Sequence, residues 1–402
     1  MKFPFEAAMD RCDVLVVGGG PAGSSCAWSL AKAGLDVRVL DRSQFPRDKT
    51  CAGWITPPVL DLLELDVADY RRGGRVFQPI TGFCTSLMGS RQVASSYNHP
   101  VSFGIRRCEF DDYLLRRSGA RLDLGEPVRS IRREASSADS ACWVVNERLA
   151  APMLVGAGGH YCPVARYLDA RPEDADSRAS RGDFRRDDGL VVAQEIEFEM
   201  SSAQRAGCRI DPEMPELYFC DDLEGYGWCF RKRDVLNIGL GRRGGDGRRL
   251  SAEVERFAAS LRRWERIDFD LPRRLRGHAY LVSDRSPRRR IDDGVLLIGD
   301  AAGMAYSASG EGIRPAVETG LLAAATIRAA AGRFLRGDLM SYERALWSRF
   351  GRPKPAPAGR DQGPQAWQIT LGRRLLGWPW FARHIVMDRW FLHAHEPPLA
   401  CP

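Results

Sequence analysis

The apolar positions of this chain switch between two rhythms. Asp13 to Val17 reads DVLVV, a short apolar run rich in β-branched residues, followed at once by Gly18-Gly19-Gly20-Pro21-Ala22-Gly23 and the segment SSCAWSLAKAG. That order predicts strand, tight turn and helix. Gly34 stops the helix, and Leu35 to Leu40 alternates as a second strand that ends at Asp41, completing a βαβ unit. Polar residues then run from Arg42 to about Cys51, a helix is predicted over Thr56 to Tyr70, and short strands over Phe77 to Ser96. An amphipathic helix is expected at Cys108 to Ser118, with edge strands at Val128 to Ile131 and Cys142 to Val145, and a further apolar strand at Met153 to Gly156.

The charged stretch Arg171 to Asp188 reads as a linker or surface loop. Strand-like runs follow at Leu190 to Phe198, Glu216 to Phe219, Gly227 to Phe230 and Val235 to Gly241. Strand, turn and helix return between Gly294 and Arg328, with another helix at Met340 to Phe350. Pro353 to Pro364 interrupts the pattern, and a helical tail is expected over Ala366 to Leu392.

Gly18-x-Gly20-x-x-Gly23 lies between strand and helix, with Asp41 closing the second strand about twenty residues on. Glycines permit the tight turn and a close approach to pyrophosphate, the helix N-terminus favours an anion, and the carboxylate accepts ribose hydroxyls. A second signal is Val295 to Ala302, VLLIGDAA, then Gly303 and Ser309-Gly310-Glu311-Gly312-Ile313. Here an apolar strand delivers Asp300 to a turn where its carboxylate can accept hydrogen bonds from a sugar-alcohol chain. Together the two motifs point to FAD rather than NAD.

These motifs resemble the FAD enzymes that share the aromatic-hydroxylase fold. Arg107, Phe110-Asp111 and Leu114 resemble that group's segment in which an arginine reaches the flavin. Within the group, Pro46-Arg47-Asp48-Lys49-Thr50-Cys51-Ala52-Gly53 and Tyr226-Gly227-Trp228-Cys229-Phe230-Arg231-Lys232 are most similar to the geranylgeranyl reductase family, over roughly residues 10 to 330. Two departures stand out: Arg231 replaces the proline of that family's YxWxFPK motif, and Ala157-Gly158-Gly159 replaces its Ala-Asp-Gly turn.

The resemblance implies an α/β fold: a Rossmann-like FAD-binding domain, an inserted antiparallel-sheet substrate domain of α+β character, and a helical C-terminal tail. The expected segments are 1–75, 101–168 and 286–350 for the FAD-binding domain, 76–100 and 169–285 for the substrate domain, and 351–402 for the tail. Cofactor contacts are expected from Gly18, Gly20, Gly23, Asp41, Arg42, Lys49, Arg107, Gly299, Asp300, Gly310, Gly312 and Ile313. Cys51, Tyr226 and Trp228 are the residues expected at the chemistry, and no metal is implied. Cys51 would sit near the flavin ring as a proton donor or substrate contact; the other reading is a small buried hydrophobe. Tyr226, Trp228 and Phe230 would share one side of a strand, lining an apolar cavity or packing the core. His160 stands at the adenine end or serves structure alone.

The implied activity is reduction of carbon–carbon double bonds in a prenyl chain or related hydrophobic intermediate. The alternatives are an FAD monooxygenase, a halogenase, for which no GWxWxIP segment is present, or a non-catalytic flavin-binding redox sensor. No second dinucleotide-binding βαβ unit is read in the chain, so the external reductant, NAD(P)H or another donor, would bind transiently.

Composition narrows the picture further. The net charge of +7, from 59 basic and 52 acidic residues, concentrates at Arg242 to Arg249 and Arg285 to Arg290; it suits an anionic cofactor or membrane surface, or simply a solvated face. No groove-reading or base-stacking motif accompanies it, so no nucleic-acid partner is expected. Eleven cysteines without a CxxC pair fit a reduced, cytoplasmic protein. Met1 to Cys12 lacks the apolar core of a signal peptide. In the tail, Trp367, Leu371, Leu375, Leu376, Trp378, Trp380 and Phe381 mix with Arg373, Arg374 and Arg383. That mixture fits peripheral membrane contact, closure over a lipid-like substrate, or docking on the protein itself.

Overall fold

The computed structural model describes residues 9–137, 140–170, 189–244, 247–272, 274–354 and 365–399. The expected linker at Arg171 to Asp188 and most of the Pro353 to Pro364 break lie outside them.

The glycine-rich turn is positioned by a six-stranded sheet. In spatial order its strands are Ile291–Asp292, Val295–Leu297, Met153–Gly156, Val14–Val17, Val37–Asp41 and Arg121–Leu124. All neighbours are parallel except the Ile291–Asp292 edge. Val14–Val17 and Met153–Gly156 are buried at every position, as strands covered on both faces must be. From Val14–Val17 the chain goes to Val37–Asp41 on one side, while Met153–Gly156 pairs on the other. The order therefore reverses there, opening a crevice at the carboxyl ends of the strands. The helices Pro21–Lys32 and Ile313–Ala330 pack against each other over this crevice, and Gly320 lets them touch: a Cβ there would lie 2.4 Å from the Ala22 carbonyl oxygen.

A seven-stranded sheet forms the opposite wall, in the order Arg276–Leu281, Leu190–Glu199, Val235–Arg243, Gly225–Lys232, Glu216–Phe219, Gly82–Leu87 and Val93–Ser96. It is antiparallel except between Glu216–Phe219 and Gly82–Leu87. Behind it lies a helix, Gly247–Arg263, whose Leu250, Val254, Phe257 and Leu261 pack on Tyr218, Ile238 and Leu240. Its front face carries Trp54, Phe83, Trp228 and Phe230 with Phe391 of the tail. Strands Trp54–Ile55, Ser102–Ile105 and Phe77–Ile80 form a small sheet between the two walls.

Several local expectations change. The helix predicted over Thr56 to Tyr70 is two, Pro57–Leu62 and Val67–Arg72, because Glu64 turns left-handed (φ +46°) and Asp66 caps the second through the Ala68 and Asp69 N–H groups. The strand expected from Val128 begins only at Ile131, since the Asn146 side chain takes the Arg129 and Ser130 N–H groups from any ladder. The arginine-rich stretch after Arg242 opens the Gly247–Arg263 helix. Arg288 and Arg290 are not solvated: they donate to the carbonyls of Ala301 and Ala302, and Arg290 is only 3% exposed. The tail is not one helix. Ala366–Leu376 ends at Gly377, and Pro379 opens a second helical run that continues to Phe391. That second run docks on the protein, burying Val386, Met387, Phe391 and Leu392.

Candidate functional site

At the carboxyl end of Val14–Val17 the backbone turns too tightly for side chains. Gly18 has φ +117°, and a Cβ on it would lie 2.4 Å from the Ala157 carbonyl oxygen. The turn is pinned by Asp41, whose carboxylate accepts the Gly19 and Ser43 N–H groups, each at 2.8 Å. Helix Pro21–Lys32 starts behind it with Gly20 as its cap and no side chain covering its first N–H groups. Those donors and the helix dipole make an anion receptor. Gly20, open toward Arg47, leaves room for a phosphate to approach the backbone.

Val295–Leu297 delivers Gly299 and Asp300 to the same crevice. His278 Nε2 lies 3.2 Å from the Asp300 carboxylate. Burial alone would raise this carboxyl, but the His278 hydrogen bond and the charges of Lys49 and Arg107 outweigh it and hold Asp300 down at about 2. Burial likewise pulls Lys49 down to about 8, against the attraction of Asp300. Gly310, at φ +70°, passes the Tyr280 hydroxyl, which would sit 2.1 Å from a Cβ there. Gly312 and Ile313 then start the Ile313–Ala330 helix.

Between these two arms lies the Cys51 loop. Arg107 forms a two-pronged ion pair with Asp111 at 2.8 and 2.9 Å, joined by Arg47 at 3.3 Å. The half-buried Cys51 Sγ accepts the Gly53 N–H at 3.4 Å. Beyond it the wall becomes aromatic. The Tyr226 hydroxyl donates to the Ser309 carbonyl, its ring lies 6.1 Å from Trp228 and 5.3 Å from Phe391, and the Trp228 indole donates to Asn237 Oδ1 at 2.7 Å. Gly239 makes room for that indole, since any Cβ would lie 2.2 Å from it.

One cavity of about 1020 Å³ runs through all of this. Gly18, Gly20, Asp41, Arg42, Lys49, Cys51, Arg107, Tyr226, Trp228, Asp300, Gly310, Gly312 and Ile313 all line it. Gly23 and Gly299 do not; Gly23 supports the turn from behind, where a Cβ would strike the Gly18 carbonyl, and Gly299 packs on Ala22. Phe230, expected beside Tyr226 and Trp228, packs in the core against Trp54 and is 1% exposed. His160 lines the cavity next to Gly158-Gly159, with burial holding its imidazole down at about 4. Sequence reading missed His278 and Tyr280, which share one face of the Arg276–Leu281 strand. Their alternation in RGHAYL was the available signal.

The polar arm suits FAD: an unblocked helix N-terminus at one end, a carboxylate beside it for ribose, and a charged Asp300 farther along. Residues 13–81 match the family model described as FAD dependent oxidoreductase. The menaquinone reductase of Mycolicibacterium smegmatis is 30% identical over 334 residues, 78% of this chain and 76% of that protein. The chloroplastic geranylgeranyl diphosphate reductase of Oryza sativa subsp. japonica is 26% identical over 85% of this chain and 73% of its own. Among solved structures, a geranylgeranyl bacteriochlorophyll reductase-like protein from Thermoplasma acidophilum shares the fold with a TM-score of 0.68 at 20% identity, covering 86% of this chain and 85% of that one. The flavin-dependent halogenase CmlS shares it at 0.62 and 19% identity, over 85% and 63% of the two chains. With a relative this similar over three quarters of its length, and both sequence motifs meeting in one cavity, the chain belongs to the geranylgeranyl reductase family of FAD-dependent oxidoreductases.

Proposed function

We propose that this enzyme saturates carbon–carbon double bonds in a prenyl chain or a related hydrophobic intermediate, with Cys51 giving the proton. The observation that carries this reading is the place of Cys51 in the cavity, where a cation-lined polar arm meets an aromatic one. Bound FAD, once reduced by NAD(P)H or another external donor, supplies the hydride. The protein's own residues hold the cofactor and the substrate and manage the proton. Asp41 and the N-terminus of Pro21–Lys32 would hold the ribose and pyrophosphate, Asp300 the sugar-alcohol chain, and Lys49 and Arg107 the ring end of the cofactor. Tyr226 and Trp228, with Phe219, Leu223 and Trp390 of the same lining, present an apolar surface to a prenyl chain and exclude water.

This reading is tested by incubating dithionite-reduced protein with geranylgeranyl diphosphate and with menaquinone, returning any quinol to the quinone in air, and weighing the products. Gain of a hydrogen pair per double bond is expected; unchanged substrates in both reactions would refute it. Asp41→Ala is expected to weaken FAD binding about tenfold or more, since charged hydrogen bonds contribute about 1.5–3 kcal/mol each and about 1.4 kcal/mol is tenfold. Flavin fluorescence titration measures it.

The reading includes the membrane. Among the described residues no helix is long and apolar enough to cross one. Trp367, Leu371, Trp378 and Trp380 are nevertheless 48–61% exposed, in the same tail as Arg373 and Arg374. Ala366–Leu376 also packs its Gly372 against Leu223, which lines the cavity. Exposed indoles with arginines suit the headgroup region of an anionic bilayer, from which a prenyl lipid would reach the cavity. Deleting the tail would confuse the test, because Val386, Met387, Phe391 and Leu392 are core and each contributes about 1.5–3 kcal/mol. The Trp378→Ser, Trp380→Ser double variant keeps that core. It is expected to lose most co-sedimentation with phosphatidylglycerol-containing vesicles, and undiminished binding would exclude the tail as the contact.

A further inference from the structure

Beneath the Cys51 loop the large sheet carries polar side chains that the chemistry above does not use. Asn237 and Lys232 are fully buried and Glu195 is 3% exposed. Asn237 stands opposite Glu197 in the register, and its amide is fully engaged. Its Nδ2 donates to the Cys51 carbonyl at 3.1 Å, to Glu197 at 3.0 Å and to Glu195 at 3.3 Å, while its Oδ1 accepts the Trp228 indole N–H at 2.7 Å. Glu195 thus holds the same amide that holds the Cys51 carbonyl. Lys232 Nζ donates to Glu197 and to the Ile105 carbonyl, both at 2.9 Å, and a Cβ on Gly53 would lie 2.4 Å from it.

The carbonyl of residue 51 is thus gripped from below, and the amide that grips it is itself held by Glu195 and Glu197 and holds the indole of Trp228. A purely apolar shelf would stabilise the fold at least as well, since buried polar groups recover in hydrogen bonds only what burial costs them. What such a network adds is direction: it fixes the positions of the groups it touches. We propose that Asn237 and Glu195 are positioning residues for proton transfer, clamping the main chain at residue 51 so that its thiol keeps one fixed place relative to Trp228. The clamp rests on the reading of Cys51 as the proton donor.

Burial pushes the Glu195 carboxyl up to about 8, aided by Glu197 and opposed by the Cys51 N–H, Lys232 and Asn237. It is therefore a neutral acid at pH 7. The charged groups around it are Glu197, Lys232 and, opposite it on the neighbouring strand, Arg276, with Arg106 pairing with Glu197 from the other side. Above about pH 8 its ionisation places a second carboxylate beside Glu197, and repulsion between the two shifts the Asn237 amide that both hold, and with it the grip on residue 51.

The test uses the full-length holoenzyme, photoreduced without oxygen, and follows flavin reoxidation by geranylgeranyl diphosphate. Asn237→Leu is expected to slow reoxidation per bound flavin about 10- to 100-fold, the scale on which a misplacement of about 1 Å acts, with FAD content and half-saturating substrate within about twofold of wild type. A wild-type rate per bound flavin, whether or not FAD is lost, overturns the clamp. Glu195→Gln imitates the neutral acid, so the wild-type rate should fall above about pH 8 while that of the variant persists; superimposable profiles overturn the proposal even if Asn237→Leu does not fold. Should wild type itself fail to respond to the substrate, the proton-donor reading falls. The clamp then still predicts at least a threefold change in Cys51 alkylation by iodoacetamide in Glu195→Gln at pH 9, followed by peptide mass spectrometry, and an unchanged rate refutes it.

Discussion

Alanine at position 51 is expected to slow substrate-driven reoxidation of the reduced flavin by about 10²- to 10⁴-fold, the usual contribution of a positioned proton donor, while FAD stays bound. The cofactor contacts proposed here, at Asp41, Asp300 and the N-terminus of Pro21–Lys32, do not involve the Cys51 side chain. Truncation leaves one donor without its partner, the Gly53 N–H. The loop backbone keeps its support from Asn237. Loss is therefore confined to the protonation step. Serine restores a donor, but an alcohol is a far weaker acid than a thiol, so Cys51→Ser is expected to lie between alanine and wild type. Stopped-flow traces within about twofold of wild type for Cys51→Ala would remove the thiol from the mechanism.

The largest effect on stability is expected from Lys232→Met. Lys232 is fully buried, and the variant leaves Glu197 without its 2.9 Å partner. Stranding a buried charge costs about 3–5 kcal/mol. Arg106 remains 3.6 Å from the Glu197 carboxylate, which places the loss near the lower end, about 3 kcal/mol. Burial raises the Glu197 carboxyl, but Lys232 and Asn237 outweigh it and hold the group below its ordinary range. A depressed carboxylate contributes stability above its unfolded pKa and loses it as pH falls through the folded value. The deficit of Lys232→Met should therefore be full at pH 7 and shrink under acid conditions. Urea titrations at pH 7 and pH 4 measure this, and adding Glu197→Gln to the variant should recover most of the loss.

The phosphate-binding end of the site was legible because its chemistry acts through the backbone. Gly18, Gly20, Gly23 and Asp41 form a local pattern within one strand–turn–helix, and GDAA followed by GEGI is nearly as compact. The aromatic strand was half legible: alternation put Tyr226, Trp228 and Phe230 on one face, but whether a ring meets cavity or core depends on what lies opposite, and Trp54 covers Phe230. Asn237 and Glu195 gave no local signal, because Asn237 acquires its role from Cys51, 186 residues away, and Glu195 from Asn237; His278 had only the alternation of RGHAYL, which does not reveal its partner Asp300. The Gly247–Arg263 helix was hidden by its arginines, although Leu250, Val254, Phe257 and Leu261 fall at helical spacing. Arg288 and Arg290 show the limit of reading charge as surface, since their targets are backbone carbonyls that only the folded turn after Asp300 brings near.

The measurement that bears most directly on the central claim is anaerobic photoreduction of the purified holoenzyme, followed by rapid mixing with geranylgeranyl diphosphate and, separately, with air-saturated buffer, while the flavin spectrum is recorded. Reduction of a prenyl double bond predicts reoxidation by the prenyl substrate without oxygen, with a saturated product. A reduced flavin indifferent to that substrate, reoxidised only by air and faster when a hydrophobic acceptor is present, would contradict it and favour a monooxygenase.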